Sequence, residues 1–459
     1  MVVLDYIFAV LVFAVLAWLI VWLFRGGNLM FGVFFASVLF FTVGFIGYRF
    51  ASPEFLATAA KDFGPWDFMR ALKFVFQDGP VNWGGTLVQI VFGAWFGTVV
   101  MQTGVAAALI RKTVELGGDR PTITMLLLNV VVCACFTSMF GIGAAISLGV
   151  IVIPILMSIG IPKLLATISY CFSVINGFYL NPVLFAEMVQ TRMNIANEEQ
   201  FFFDSFYFRW AFPALLIHLV LIIVFELIYF KRDKTVSAWA APTKVDEEPE
   251  VEIKQVPGFT LWMPVLPALL IIAFKIPTVP SFLFSGFVIL ACCGYLKSFS
   301  SSAEWMSRTF RDAVVENASL VGFLICLTPL ANSIMYSSSY YGITIGRILP
   351  TDPLLVAVLF GALAPFAIFR GPTGLFGAGK ATLIILWITM GINIQFMWPL
   401  IWGVTIGMMP VCPTQSYVAW GVGYNRIEGG TYIKKALPIG WLIAIGNCIL
   451  TFVMLAQYA

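Results

Sequence analysis

Histidine, formal charge and buried acid are what this sequence has least of. One His in 459 residues leaves no ligand set for a His-based metal site and no base for a Ser–His–Asp triad. Only 11% of the residues are charged, and the formal net charge is +3. Such a balance excludes an electrostatic footprint for nucleic acid. The eight Cys all fall in apolar stretches, where they read as small buried hydrophobes rather than metal ligands. An enzyme would need a nucleophile–base pair or a metal cluster, and the chain offers neither.

What is abundant is apolar surface. Hydrophobic residues make up 60% of the chain and the mean hydropathy is +0.95, beyond any soluble globular domain. Stretches of about 20 apolar residues are long enough to cross a bilayer. Ten ordinary spans are readable, at about 5–24, 29–50, 83–103, 163–191 and 208–230, then 259–276, 280–297, 317–336, 388–422 and 436–457. The first lacks a basic leader and a small-residue cleavage site, so it reads as a span rather than a signal peptide. Two further apolar segments, 122–160 and 353–386, are too long for one crossing.

Both long segments are broken at their centres by a related motif. Thr137-Ser-Met-Phe-Gly-Ile-Gly-Ala-Ala145 returns 236 positions later as Thr373-Gly-Leu-Phe-Gly-Ala-Gly-Lys-Ala381. Each segment is expected to form a re-entrant hairpin, since non-helical backbone inside a membrane is tolerated only where protein or water surrounds it. Charge supports the count. With Arg25 inside, Arg111, Lys112, Arg120, Lys163, Lys231–Lys234, Lys297, Arg308, Arg426 and Lys435 also fall inside, as the positive-inside rule requires. Segment 51–82 is the exception and is expected outside, with an amphipathic helix at the interface.

The expected fold is therefore an all-α polytopic membrane protein of two inverted repeats: about ten transmembrane helices, two re-entrant hairpins and two broken helices. The repeats are 1–231 and 258–459, joined by a charged cytoplasmic linker, 232–257, and both termini are predicted extracytoplasmic. Paired interruptions in corresponding positions of two halves point to a transport site. Gly141, Gly143, Gly374, Gly377 and Gly379 allow close approach of backbone to a ligand, and Thr137, Ser138 and Thr373 add hydroxyls. The following spans are broken at Ile175-Asn-Gly-Phe-Tyr-Leu-Asn-Pro182 and Ile406-Gly-Met-Met-Pro-Val-Cys-Pro-Thr-Gln415. Asn176, Asn181, Thr414 and Gln415 are their polar candidates.

Two cations flank the second tip. Lys380, at the place of Ala144 in the first tip, is a candidate to pair with a substrate carboxylate or to stand in for a coupling cation. Arg370 is a candidate bidentate clamp on a second carboxylate. Glu187, close after Asn181-Pro182, is a candidate carrier of a coupling proton. Glu226 and Lys275 read as interfacial residues of scaffold spans, and His218 as a packed histidine.

A hairpin followed by a broken span, duplicated and inverted, resembles the ion transporter superfamily of secondary organic-anion carriers. Met409-Pro-Val-Cys-Pro-Thr-Gln415 is similar to the second break of its dicarboxylate symporters. Phe96-Gly-x-x-x-x-x-Thr-Gly104 with Arg111-Lys112, Glu115 and Gly117-Gly118 looks like its gluconate permease branch. Neither tip carries that superfamily's Ser-Asn-Thr motif. The resemblance implies a dimerising scaffold (spans within 1–103 and 258–336), a transport domain holding the hairpins and broken spans (122–191 and 353–422), and elevator-like movement. The expectation is a homodimeric carrier in the cytoplasmic membrane. It moves a small carboxylate such as gluconate, a C4-dicarboxylate or citrate, with no cofactor and with sodium, proton or exchange coupling. A Na+/H+ antiporter and a passive anion channel are the alternatives, the first weakened by the absence of acids at the breaks.

Overall fold

The computed structural model describes residues 3–58, 63–118, 120–186, 203–232, 256–343, 350–376 and 378–459. Those residues are helical and irregular, without strands. Nine helices or near-continuous helical runs among them are long and apolar enough to cross a membrane.

The first repeat begins with α1 (Val3–Phe24) and α2 (Leu29–Phe50), joined at Asn28, whose side chain accepts from the Phe31 N–H and caps α2. Short helices at Pro53–Thr58 and Phe68–Lys73 lead through a π-helical turn at Phe74–Asp78 into α3 (Gly84–Gln102). Gly104, at φ 84°, then turns the chain into α4 (Val105–Gly117). This helix is amphipathic and carries the exposed Arg111 and Lys112 beside Glu115. Hydrogen bonds from Lys112, then Arg111, hold the Glu115 carboxyl below its usual range. The first hairpin is α5 (Pro121–Phe136) and α6 (Ile142–Ser158), followed by α7 (Lys163–Gly177), a 3-10 turn at Phe178–Leu180 and the long α8 (Ser205–Arg232).

The second repeat runs through a 3-10 segment at Gly258–Val265, α9 (Leu266–Phe274), α10 (Thr278–Cys292) and the 38-residue α11 (Phe299–Tyr336). Its hairpin is α12 (Pro353–Leu363) with a kinked 3-10 stretch, Ala364–Arg370, and α13 (Ala378–Met390). Then come α14 (Ile394–Met408), a 3-10 turn at Met409–Val411, α15 (Ser416–Tyr424) and α16 (Gly429–Leu455).

The packing repeats as the sequence does. α11 lies on α2, and its counterpart α3 lies on α10; α3 and α11 also pack on each other. α6 of the first hairpin contacts α3, and α13 of the second contacts α11. α7 packs on α8 as α14 packs on α16, and α8 and α16 meet. These exchanges define two groups: α1–α3 with α9–α11, and the hairpins and broken helices with α8 and α16.

That grouping corrects one expectation. α8 belongs with the hairpins and broken helices, so His218 and Glu226 are not scaffold residues. Glu226 is not interfacial either: it is fully buried. His218 is packed as expected, between the rings of Phe172 and Tyr179, each at 5.8 Å. Lys275 is exposed at the end of α9, in keeping with an interfacial residue.

α14 and α16 approach through small residues, as helices do where lipid leaves no hydrophobic drive for their association. A Cβ on Gly407 would lie 2.8 Å from the Ala444 nitrogen and 2.9 Å from the Gly440 carbonyl oxygen. Gly407→Ala is therefore expected to cost about 1–3 kcal/mol by overpacking. The apparent melting temperature should fall by several degrees, whereas Gly423→Ala, with nothing within 4 Å, should leave it unchanged or raised. Equal melting temperatures for the two variants would refute the close packing.

Candidate functional site

The two helix breaks repeat residue for residue. After the turn Phe178–Leu180, Asn181 is extended at φ −80°, ψ 116°. After Met409–Val411, Cys412 is extended at φ −76°, ψ 115°. The hairpins keep register too: α6 starts at Ile142 and α13 at Ala378, separated by the 236 positions of the motif.

A broken helix leaves backbone groups that need new partners, and in each repeat the residue at the break supplies one. The Asn181 amide donates to the carbonyls of Phe136 (2.9 Å) and Met139 (3.0 Å), beside the first tip. Its Oδ1 accepts from the Val183 and Leu184 N–H groups, at 3.0 and 3.3 Å. Asn181 thus spends its full hydrogen-bonding capacity in joining the break to its own hairpin. In the second repeat the Cys412 thiol receives the Phe369 N–H at 3.1 Å and lies 3.0 Å from the Thr414 hydroxyl.

That substitution leaves room. A recess of about 10 Å³, the space of one water, is lined by Ala367, Arg370, Gly374, Phe376, Thr405, Met409, Cys412 and Gln415. The matching positions on the first broken helix are Val174 for Thr405, Phe178 for Met409, Asn181 for Cys412 and Leu184 for Gln415. Val174, Phe178 and Leu184 are buried, and Phe178 packs on Phe136 with ring centroids 6.1 Å apart. Arg370, Thr405 and Gln415 thus have the apolar counterparts Ala134, Val174 and Leu184, whereas Cys412 and Gly374 are matched by Asn181 and Ser138, both already hydrogen-bonded.

Arg370 is half-buried in this recess. It donates to the carbonyls of Phe376 and Thr414, each at 3.3 Å, and so bridges hairpin and broken helix. Phe369 and Arg370 are both left-handed, at φ 58° and 63°, which costs on the order of 1 kcal/mol or more per non-glycine residue. Gln415 is the N-cap residue of α15 but makes no side-chain cap. Among the described residues its carboxamide has no hydrogen-bond partner, so it and the first N–H groups of α15 are available to an anion. Thr405 is structural: its hydroxyl accepts from the Leu375 N–H at 3.0 Å and donates to the Ile401 carbonyl at 2.8 Å. Thr414 is exposed and offers Arg370 its carbonyl.

The other expected site residues are distributed differently. At the first tip the Thr137 hydroxyl donates to the Ala134 carbonyl (2.7 Å), and the Ser138 hydroxyl accepts from the Ala268 N–H of α9 (3.1 Å). Gly141 has φ 104°, a conformation for glycine. Asn317 of α11 faces it, and the Glu316 carboxylate fills the space a Cβ on Gly143 would take. Sequence reasoning missed both, although an acid so close to a predicted span is itself a functional signal. At the second tip the Thr373 hydroxyl donates to the Leu363 carbonyl (3.2 Å), and Gly379 packs on the backbone of Gly374. Lys380 is 2% exposed, with its ammonium 4.4 Å from the centroid of the Trp83 ring. Such a desolvated cation–π contact is worth about 2 kcal/mol. It ties α13 to the start of α3, and Lys380 does not line the recess. Asn176 is fully buried, and neither of its side-chain polar atoms has a partner among the described residues. Gly377 and Glu187 lie outside the described residues.

No protein-family model matches the chain, and a search of curated proteins finds no match. The fold does have a solved counterpart. It is similar to the Alcanivorax borkumensis YdaH transporter, whose crystal structure is described as revealing an unusual topology. The TM-score is 0.62 at 14% identity, over 92% of this chain and 98% of that one. A likeness of this kind carries the architecture, while the chemistry has to be read from the residues of this chain.

Asn181→Ala is expected to lower unfolding stability by about 3 kcal/mol, because it strands the buried Phe136 and Met139 carbonyls and two N–H groups. Thermal unfolding of the purified protein checks this; a variant as stable as the parent would show that the break does not depend on the clasp.

Proposed function

We propose that this chain is a secondary active transporter that moves a small organic anion across the cytoplasmic membrane. The class is a carboxylate such as gluconate, a C4-dicarboxylate or citrate, carried by elevator-type alternating access. The observation that carries the reading is the one-sided recess. Arg370 and Gln415, the residue that precedes α15, both line it, and their first-repeat counterparts are the apolar Ala134 and Leu184. A guanidinium and a helix N-terminus together favour a carboxylate.

Arg370 is the substrate countercharge in this reading. Lys380, held on Trp83, is a positive charge at the contact between the two helix groups, where sliding would be felt. The recess admits about one water, so seating a carboxylate requires the second tip to draw away from α14. Strained backbone at Phe369–Arg370 suits such a move. A homodimeric scaffold with extracytoplasmic termini, free of resident cofactors, completes the proposal.

Binding and uptake test it. Purified protein screened against carboxylates should show a raised melting temperature with at least one. Losing the charged hydrogen bonds of Arg370 in Arg370→Ala should weaken that ligand by about 10- to 100-fold. Gln415→Leu, which installs the first-repeat residue, should weaken it by about tenfold. Affinity within twofold of the parent in both variants would remove the recess as the binding site.

A further inference from the structure

One buried acid has no part in the recess. Glu226 of α8 is 0% exposed, and one of its oxygens accepts from the Asn129 amide of α5 at 2.6 Å. Asn129 Oδ1 in turn receives the hydroxyls of Ser169 (2.7 Å) and Ser173 (2.9 Å) from α7. The Asn129 amide thus points at the carboxyl group, while the Ser173 hydroxyl is shared with the Ser169 carbonyl at 2.8 Å. The other oxygen, Oε1, is buried and has no partner. Among the described residues Glu226 makes no ion pair.

Its charged surroundings are occupied elsewhere. Lys163, at the start of α7, donates to the Arg426 carbonyl at 3.4 Å. On α16, Lys435 stands over the Tyr229 ring at 4.9 Å, Lys434 is exposed, and the capping residue Glu428 accepts from Thr431. His218 lies two turns along α8 between two aromatic rings. The side chains of Lys231 and Arg232 lie outside the described residues. The remaining titratable groups on these elements are Arg209, exposed near the opposite end of α8, and Cys133, Cys135, Tyr170, Cys171, Tyr179, Tyr207, Tyr432 and Cys448, thiols and phenols whose ordinary state near neutral pH is uncharged; α14 carries none.

An ionised carboxylate held in a dry interior without a cation costs several kcal/mol. One proton on Oε1 removes that charge. A metal cation suits the geometry poorly: it needs several oxygens at once, and the Asn129 oxygen is already turned to two hydroxyls. We infer that Glu226, held by Asn129, Ser169 and Ser173, is a proton-binding site between the first hairpin and α8, and that its proton is the coupling ion. The coupling half rests on the transport reading above; the proton site itself does not.

The route from Glu226 to the first helix break is short. Ser169, Ser173 and Asn176 are spaced four and three along α7, which places them on one helix face. Asn176 sits at the break with its amide unpaired. Gain or loss of charge at Glu226 changes the attraction between α8 and the α5–α7 pair, and α7 leads directly into the break clasped to the first tip.

Infrared difference spectroscopy of the full-length protein in lipid nanodiscs, titrated with pH, tests the site. A protonated-carboxyl band is expected that disappears in Glu226→Gln and shifts in Asn129→Ala, the variant that also serves if Glu226→Gln does not fold. Persistence of the band in Glu226→Gln, or no response to Asn129→Ala, overturns the site. In proteoliposomes, pH-gradient-driven uptake by Glu226→Gln should fall about tenfold while substrate exchange stays within about twofold. Full gradient-driven accumulation by that variant overturns the coupling role. A titrating Glu226 band without uptake of any carboxylate would sink the transport reading and leave the proton site standing.

Discussion

A helix that stops inside an apolar body exposes carbonyl and N–H groups that water cannot reach, and this structure is arranged around meeting that demand twice. The Asn181 clasp is the clearest case. One carboxamide takes two carbonyls from the hairpin and two N–H groups from the resumed helix. A helix could not be broken at this depth without such partners. The clasp also fixes where the hairpin tip stands relative to the break. The second repeat meets the same demand with Cys412 and Arg370, a thiol and a guanidinium. Because those two groups close the break less completely, space remains, and the space is lined with polar atoms.

Pseudo-symmetry of backbone therefore coexists with asymmetry of side chain. The first tip is sealed by its own hydroxyl contacts and is approached by Glu316 and Asn317. The second is approached by cations, one inside the recess and one on the Trp83 ring. A carboxylate thus stands beside the first tip and cations beside the second. The hairpins also supply the contacts that cross between the two helix groups, through Ser138 to α9 and Lys380 to Trp83. A change at either tip is thus felt where the groups meet.

Much of this was legible in the sequence. The motif repeat at Thr137 and Thr373 located both hairpins, and the match of Asn181-Pro182 with Cys412-Pro413 located both breaks, which share their backbone angles. Those features are set by glycine, proline and apolar run length, all local properties. What failed was non-local. Glu226 looked interfacial because its place near the end of a span says nothing about which helices cover it. Position along the chain likewise does not reveal that the Lys380 side chain lies on Trp83. Thr137 and Ser138 are hydroxyls at the tip, as expected, but their partners are the Ala134 carbonyl and the Ala268 N–H. Glu316 and Asn317 come from a helix far away in sequence, and no spacing rule links them to the first tip.

The central claim is that the two repeats break their helices alike and that only the second repeat binds the anion. Structure determination of the protein with a bound carboxylate, chosen by its thermal stabilisation, tests this most directly. Density for the carboxylate between Arg370, Gln415 and the start of α15 is the predicted result. Density at the first tip, beside Gly141 and Asn317, with the second recess unchanged, would contradict it.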